Sequence, residues 1–551
     1  MIEKLPYLHP EMAIFAAACV VMVLGLSRSA LIRSLSAWIT GLGLVAALVL
    51  SLRSPTTDGL FPAMQPYIKA LVAAFGLLAL PLMGGTVDRW YEQQVGKGES
   101  FDPLRVTRGE FYAFYLLSLM GVMLCATADD LIWLFLALEL TSLPTYVMVA
   151  ISTPRRRSQE AGVKYFFLGA LAAATFLYGF TMLYGATGTT SIPDIAIQFH
   201  SHGLGLIGTL GLVMALLGVS FKVAAVPMHM YTPDVYQGAA SPVSAFLAFV
   251  PKAAGFIVLI QLLATVGWSF GANGSSLPEA LRLTMWVIAA LTMTVGNVLA
   301  SLQTNAKRML AYSSIAHSGY MLVGLIVGPG DTIATNGLAA SMFYLLTYAV
   351  MNLGAFAVLA CLNKHDRNGD LVEIETLDDL RGLHASRPTL AWAMTLCALS
   401  LMGLPPILGF WGKFTLFTAG ISAGEISLIV VMGINSAIAA FYYLKLVRAV
   451  MLDERDPDED RPILTDVPGR RLAAALSGAG VLVVVIWASQ LQSASDKATA
   501  INERILLFGN AVSLTAQTPA GAPKLTPDLS PANVRVAQRI NTPTTPTTPN
   551  D

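Results

Sequence analysis

Six ionisable side chains lie inside long hydrophobic runs of this chain: Glu139, Lys164, Lys222, Lys252, His317 and Lys413. A charge at membrane depth costs about 2.5–3.5 kcal/mol on insertion scales. Side chains that expensive pair with one another, line a hydrated path or carry ions. One carboxylate, four lysines and an imidazole in separate apolar segments have the chemistry of a proton path, because each can hold a proton and pass it on.

Glu139 stands mid-way along its run, in Leu134-Phe135-Leu136-Ala137-Leu138-Glu139-Leu140, and is too short to reach the interface. A purely structural ion pair is one reading; a carboxylate that tunes a lysine is the other. Lys222 is the candidate partner, following Gly218-Val219-Ser220-Phe221 and preceding Pro227. Burial disfavours an ammonium and a nearby carboxylate favours it, so moving the carboxylate would load or unload the proton. Lys252 follows Pro251, which should kink its helix, and suits a relay between two half-paths. Lys413, in Gly409-Phe410-Trp411-Gly412-Lys413-Phe414, is the counterpart of Lys222 and the natural exit residue. His317 titrates near neutrality and could shuttle protons; a hydrogen-bonded packing histidine is the competing reading, as it is for His229. Lys164, close to Arg157, could equally snorkel to the interface, and helical spacing does not place it beside Glu139. Lys69, near a helix start, reads as a snorkelling lysine.

These residues need membrane helices to hold them. The 551 residues are 55% hydrophobic and 12% charged, against roughly 25% charged in a soluble domain. Apolar runs recur as about fourteen segments, each long enough to span a bilayer, so the chain reads as an all-α polytopic membrane protein. The seventh and twelfth segments are interrupted, one at Pro227 and Thr232-Pro233-Asp234, the other at Pro405-Pro406 among Gly403, Gly409 and Gly412. Proline removes a backbone donor and breaks a helix. The two breaks fall five segments apart, so helices 4–8 and 9–13 read as two inverted five-helix repeats with a site at their interface. The expected organisation is an N-terminal three-helix segment (1–109), a first repeat (110–266), a second repeat (282–451), a C-terminal helix (471–490) and a Pro/Thr-rich tail (515–551) whose composition cannot bury a core.

Loop charge predicts orientation. Arg155, Arg156, Arg157, Lys307, Arg308, Arg470 and Arg471 fall in odd-numbered loops, while the even-numbered loops hold little beyond Arg53 and Arg282. The positive-inside rule puts the odd loops in the cytoplasm and both termini on the opposite, periplasmic side. The first apolar run lacks a basic leader and a small-residue cleavage site, and reads as a retained helix. Formal net charge is zero, which suggests no nucleic-acid partner. Cys19, Cys125, Cys361 and Cys397 form no CxxC pair, and there is no Walker A, dinucleotide or haem-spacing motif. No cofactor is expected on this chain.

Three motifs carry a family resemblance: Leu138-Glu139-Leu140-Thr141-Ser142-Leu143-Pro144-Thr145-Tyr146; Phe221-Lys222 through Pro227 and His229 to Tyr231-Thr232-Pro233-Asp234-Val235-Tyr236-Gln237-Gly238-Ala239; and Lys307-Arg308-Met309-Leu310-Ala311-Tyr312-Ser313-Ser314-Ile315 running to His317. Over roughly residues 10–490 the chain resembles the antiporter-like membrane subunits of respiratory complex I, the NADH-quinone oxidoreductase of bacteria. The Thr-Pro-Asp-Val-Tyr form is similar to the subunit N branch and its mitochondrial and chloroplast relatives; subunits L and M and sodium/proton antiporters typically read Leu-Pro-Asp-Ala there. The resemblance implies fourteen helices, inverted repeats and broken helices seven and twelve. It also implies a key glutamate at Glu139 and intramembrane lysines at Lys164, Lys222, Lys252 and Lys413. Met228, Tyr231 and Ala240 depart from the usual Phe, Trp and Pro without changing a charge.

The resemblance further implies a place in the bacterial inner membrane beside subunits resembling M and K. NADH, FMN, iron–sulfur clusters and quinone would belong to other subunits. The reading is therefore a proton-translocating subunit driven by NADH:quinone electron transfer elsewhere in the complex. The rival readings are a subunit of a cation/proton antiporter and a scaffold of a membrane-bound hydrogenase-type complex.

Overall fold

In lipid only a helix satisfies every backbone N–H and C=O within one segment, and the apolar runs fold accordingly. The computed structural model describes residues 2–502 except 58, 89–90, 93–94, 96–101, 103–104, 271–275, 366–370 and 456–461; the tail predicted from residue 515 lies outside the described residues. The first six long helices are α1 (His9–Gly25), α2 (Ala30–Leu52), α3 (Met64–Met83), α4 (Arg108–Thr127), α5 (Leu131–Ile151) and α6 (Arg156–Thr187). The short α7 (Ile192–His202) leads into α8 (Gly205–Ser220), where the first break opens; α9 (Thr232–Gly238), α10 (Ser241–Leu247) and α11 (Val250–Ala264) follow. Next come α12 (Glu279–Ser301), α13 (Ala306–Val327), α14 (Gly337–Ala360), the one-turn α15 (Leu383–Ser386), the interrupted pair α16 (Pro388–Met402) and α17 (Leu408–Ser422), and α18 (Ile426–Met451). A last segment, α19 (Pro468–Val483), passes through a 3-10 turn into α20 (Ala488–Ala498), so helix extends beyond the predicted end at 490.

Among the described residues, 12 helices are long and apolar enough to cross a membrane. The shorter apolar α8 and α16 are the first halves of the two interrupted segments. The segment formed by α10 and α11 is buried throughout, and α13 and α14 nearly so. By contrast α1, α2, α6 and α18 expose large apolar side chains such as Val23, Trp38, Phe167 and Phe441. A surface of that kind faces hydrocarbon. Lys252 is carried by the innermost segment, whereas Lys164 is carried by α6.

Close helix approach depends on small residues, since apolar side chains gain nothing by leaving lipid for one another. A Cβ on Gly179 of α6 would meet Ala215 N of α8 at 2.4 Å, and one on Gly218 of α8 would meet Phe176 N of α6 at 2.5 Å. That contact seats α8 against α6 and fixes where the first break emerges.

The loops sort onto two faces. On one, Arg157 pairs with Glu375 at 3.1 Å, Asn305 bridges to Thr376, and Arg470 donates to Gly84 O. The connection after α14 forms strand β1 (Leu362–His365) and strand β2 (Leu371–Glu373), and a third strand, β3 (Ile463–Leu464), joins them in the antiparallel order β2-β1-β3. Glu373 ties this sheet to the bundle. It accepts from Lys307 Nζ at 2.7 Å and from the backbone N of Ser241 at 2.9 Å, at the start of α10, and Arg470 lies 3.9 Å away. Burial pushes the Glu373 carboxyl up, but the Lys307 and Arg470 charges and the Lys307 and Ser241 hydrogen bonds outweigh it and hold it down at about 2. On the other face Arg282 pairs with Glu425 at 2.7 Å and Asn336, which caps α14, donates to Asp496 at 2.8 Å. There too Asn502 N donates to Leu60 O at 2.9 Å and Gln65 to Tyr7 O at 3.2 Å. Both ends of the described chain thus share the face opposite the arginine-rich loops.

Candidate proton-transfer site

The first break begins where α8 ends at Ser220. Phe221 to Tyr231 run through turns, with Ala224 at φ 57°, before α9 resumes. Freed main-chain groups are re-used: Ala225 N donates to Ser220 O and the Tyr231 hydroxyl to Phe221 O, both at 2.9 Å. Lys222 projects from this turn and is 1% exposed. Its Nζ lies 3.3 Å from Glu139 Oε1 and donates to Ser142 Oγ at 2.5 Å, both on α5. The Phe176 and Phe221 rings flank it at 5.8 and 5.9 Å. The predicted Glu139–Lys222 pair is formed. Glu139 keeps 18% of its side chain exposed, on the same helical stripe as exposed Leu136 and Leu143.

The helix carrying Lys252 is interrupted at Ala248–Phe249, immediately before α11 and one turn before Lys252, as Pro251 predicts. Gly255 of α11 packs 3.0 Å from the Lys222 Cβ, measured from the position a Cβ of its own would take, so the two lysines sit on closely apposed elements. Lys252 is buried and donates to Ser314 O and to Ser318 Oγ, the latter at 2.7 Å. Both acceptors are on α13, the helix of His317. Among the described residues no carboxylate pairs with Lys252.

His317 is buried between two tyrosines. Its Nδ1 lies 2.6 Å from the Tyr344 hydroxyl and its Nε2 2.9 Å from the Tyr443 hydroxyl. A neutral imidazole donates at one nitrogen and accepts at the other, so one hydroxyl accepts while the other donates. The Tyr443 hydroxyl also bonds Ser313, and the Tyr348 hydroxyl donates to Ser314 Oγ at 2.7 Å, beside the Lys252 contact. Hydroxyls therefore stand at both ring nitrogens of the imidazole, and a second hydroxyl pair, Tyr348 with Ser314, lies on the Lys252 side.

The second break follows α16. Gly403 takes φ 91°, and Gly409 N donates to Ser400 Oγ at 3.0 Å across the gap. Lys413, on α17, turns back and donates to Met402 O at 2.9 Å, with its Nζ 5.0 Å from the centre of the Tyr320 ring. Gly412 beside it leaves room for Tyr344, which a Cβ there would meet at 2.3 Å. Tyr344 thus touches both the Lys413 helix and His317.

Lys164 stands elsewhere. Its side chain is 45% exposed and pairs with Glu160 at 2.8 Å and Asp234 at 3.1 Å. Asp234, of the Thr-Pro-Asp-Val-Tyr motif, also pairs with Arg308 at 2.6 Å. Neither Glu139 nor Lys222 is among the Lys164 partners. Lys69 contradicts the snorkelling expectation: it is 0% exposed and pairs with Glu11 at 2.7 Å. A buried carboxylate one helix away, remote in sequence, holds the ammonium inside. His229 lies in the turn after Pro227, its backbone O accepting from Thr232 N. The tyrosines and serines of the site were not singled out from sequence. The one signal was Tyr344 and Tyr348, whose i, i+4 spacing puts them on one face of α14. Among the described residues no group of three His, Cys, Asp or Glu could hold a metal ion.

Residues 128–439, which include every axis candidate, match the family model described as NADH:quinone oxidoreductase/Mrp antiporter, TM. NADH-quinone oxidoreductase subunit N of Trichlorobacter lovleyi is 41% identical over 394 residues, covering 71% of this chain and 77% of that one. The subunit N of Paramagnetospirillum magneticum is 35% identical over 506 residues, covering 89% and 96%. A chain of the respiratory complex I from Thermus thermophilus with bound aureothin superposes with a TM-score of 0.69 at 32% identity, covering 88% of this chain and 98% of that one. With a helix break that buries Lys222 against Glu139 and relatives matched along most of their length, this chain belongs to the family of NADH-quinone oxidoreductase subunit N proteins.

Proposed function

We propose that the chain works as a proton-translocating, multi-pass membrane subunit of a bacterial NADH-quinone oxidoreductase, and that it acts as the translocase part of that enzyme. One observation carries the mechanism: a lysine buried inside a helix break, paired with a single carboxylate 3.3 Å away. In that setting a small displacement of Glu139 changes the proton affinity of Lys222. Moving one charge against 100 mV needs about 2.3 kcal/mol, which a change of a few pKa units supplies.

Protons enter near Lys222 from the arginine-rich cytoplasmic face, pass Lys252 and His317 through the hydroxyls of Ser314, Ser318, Tyr344 and Tyr443, and leave near Lys413. Lys164 contributes at the entry through its tie to Asp234. Helices 4–8 and 9–13 act as inverted repeats of fourteen spans, with the residues of 110–266 and 282–451 forming the two half-paths and both termini periplasmic. Glu139, partly exposed on its stripe, senses a neighbouring membrane subunit resembling K, and the other end of the chain abuts one resembling M. NADH, FMN, iron–sulfur clusters and quinone reside on other subunits, whose electron transfer drives the cycle.

The test is NADH-driven proton uptake in inverted vesicles, comparing wild type with Lys222→Ala at matched assembly and matched NADH–artificial-acceptor activity. Loss of uptake and of quinone-coupled turnover is expected. Normal uptake in an assembled variant overturns the relay.

A further inference from the structure

A second buried ion pair lies outside the axis. Glu11 of α1 and Lys69 of α3 are 3% and 0% exposed, and their side chains meet at 2.7 Å. Lys69 Nζ also donates to Tyr7 O at 2.5 Å, and Thr127 Oγ1 at the end of α4 lies 3.4 Å from Glu11 Oε1. Beside them is a cavity of about 280 Å³ lined by Tyr7, Thr127, Asp129, Trp133 and Gln261 among others. That is far above the ~15 Å³ that admits one water. Its lining comes from the chain start, the α2–α3 and α4–α5 connections and the start of α7, all on the face that carries the N-terminus.

Three buried acceptors here have no hydrogen-bond partner among the described residues: Glu11 Oε2, Gln65 Oε1 and Gln261 Oε1. Buried polar atoms are satisfied by protein or by ordered water, and the cavity beside them, mostly apolar but with Thr57, Thr127, Asp129 and Gln261 on its wall, has room for that water. Gln261 belongs to α11, nine residues beyond Lys252, about 14 Å along a helix that rises 1.5 Å per residue. Its Nε2 donates to Cys125 O of α4 at 3.1 Å. One turn earlier on α4, a Cβ on Gly121 would meet Thr141 N at 2.5 Å, so α4 packs directly on the stretch of α5 that holds Glu139 and Ser142. The cavity thus adjoins α11, which carries Lys252, and α4, which packs on the stretch of α5 that faces Lys222.

We propose that Glu11, Lys69 and this cavity form a second proton-release vestibule, which serves the first half of the axis beside the Lys413 exit and opens on the face that carries the N-terminus; the inference rests on the proton-translocation reading. A proton reaching the Glu11 carboxylate neutralises it and breaks its pair with the Lys69 ammonium. Transfer of that proton to cavity water as hydronium restores the carboxylate and re-forms the pair.

The test uses the assembled complex with Cys19→Ser and Ala128→Cys, the latter in the cavity wall. Spheroplasts and inverted vesicles are each treated with a membrane-impermeant methanethiosulfonate bearing either trimethylammonium or sulfonate, and NADH-driven proton uptake is compared with the unlabelled sample of the same variant. Labelling in spheroplasts and not in inverted vesicles, with a larger loss of uptake for the cationic adduct than for the anionic one of similar size, is the expected result; labelling in inverted vesicles alone overturns the vestibule. Equal loss with both adducts, no loss, or no labelling from either side overturns the vestibule. Glu11→Gln with Lys69→Met removes both charges and leaves neither one buried alone. Loss of uptake in that assembled double variant supports the proposal, and wild-type uptake overturns it. Lys222→Ala runs in parallel: if it pumps normally, the translocation reading fails and the vestibule with it. If it loses uptake while the adducts change nothing, the vestibule alone fails.

Discussion

Lys413 donates from Nζ to the main-chain oxygen of Met402, the last residue of the half-helix that ends at the Pro405-Pro406 break. The two broken segments therefore hold their lysines by different means. Lys222 faces a carboxylate, whereas Lys413 faces the carbonyl end of a helix, where the macrodipole favours a cation. Among the described residues no carboxylate pairs with Lys413.

Lys413→Gln retains a donor for Met402 O but cannot carry the proton, so the variant should assemble normally and lose proton uptake. Lys413→Met removes that charge-assisted bond, worth about 1.5–3 kcal/mol. It should also lower the yield of assembled complex on native gels. Normal uptake by the glutamine variant removes Lys413 from the path.

The imidazole of His317 depends on two hydroxyls. Tyr344→Phe deletes one hydrogen bond and Tyr443→Phe two, to His317 and Ser313, each worth about 0.5–1.5 kcal/mol to stability, and both variants should slow proton uptake without changing NADH–artificial-acceptor activity. The double variant should be slower than the two single effects combined, because contacts within one network are not additive. Uptake at the wild-type rate in the double variant would make His317 a packing residue.

Glu373 should make stability pH-dependent. Its carboxyl is held at about 2 in the fold against 4.5 as its ordinary value. A depressed carboxyl contributes its full stabilisation above the unfolded value and loses it as pH falls through the folded one. Wild type should therefore exceed Glu373→Gln in resistance to thermal unfolding in detergent above pH 4.5, by about 3 kcal/mol, the low end for breaking a buried pair. The difference should shrink between pH 4.5 and 2. A gap that stays constant down to pH 2 contradicts the assignment.

The α6–α8 contact should tolerate no side chain at Gly218, where a Cβ would meet Phe176 N at 2.5 Å. Gly218→Leu forces the helices apart, at about 1–3 kcal/mol or more, and shifts the break that presents Lys222. Assembly should fall and residual complex should pump poorly. Gly185→Ala on the same α6, where nothing lies within 4 Å, is the control and should assemble as wild type does.

Much of this molecule can be read locally. Apolar runs declare membrane helices because backbone groups in lipid must pair within a segment. Pro227, Pro405 and Pro406 declare the breaks because proline lacks the donor a helix needs. The lysines declare themselves because charge in hydrocarbon is expensive wherever the chain goes. Partners are another matter. Glu139 and Lys222 were paired on chemical grounds and do meet, but nothing along the chain distinguishes the fate of Lys164, tied at the surface to Asp234, from that of Lys69, sealed against Glu11. Both are lysines near helix starts with long flexible stems. Which one is buried depends on the rotation of its helix and on what the neighbouring helix presents, and those are set by packing between segments far apart in sequence. The tyrosine pair around His317 is decided in the same way, since Tyr344 and Tyr443 come from α14 and α18 and converge only when both pack on α13.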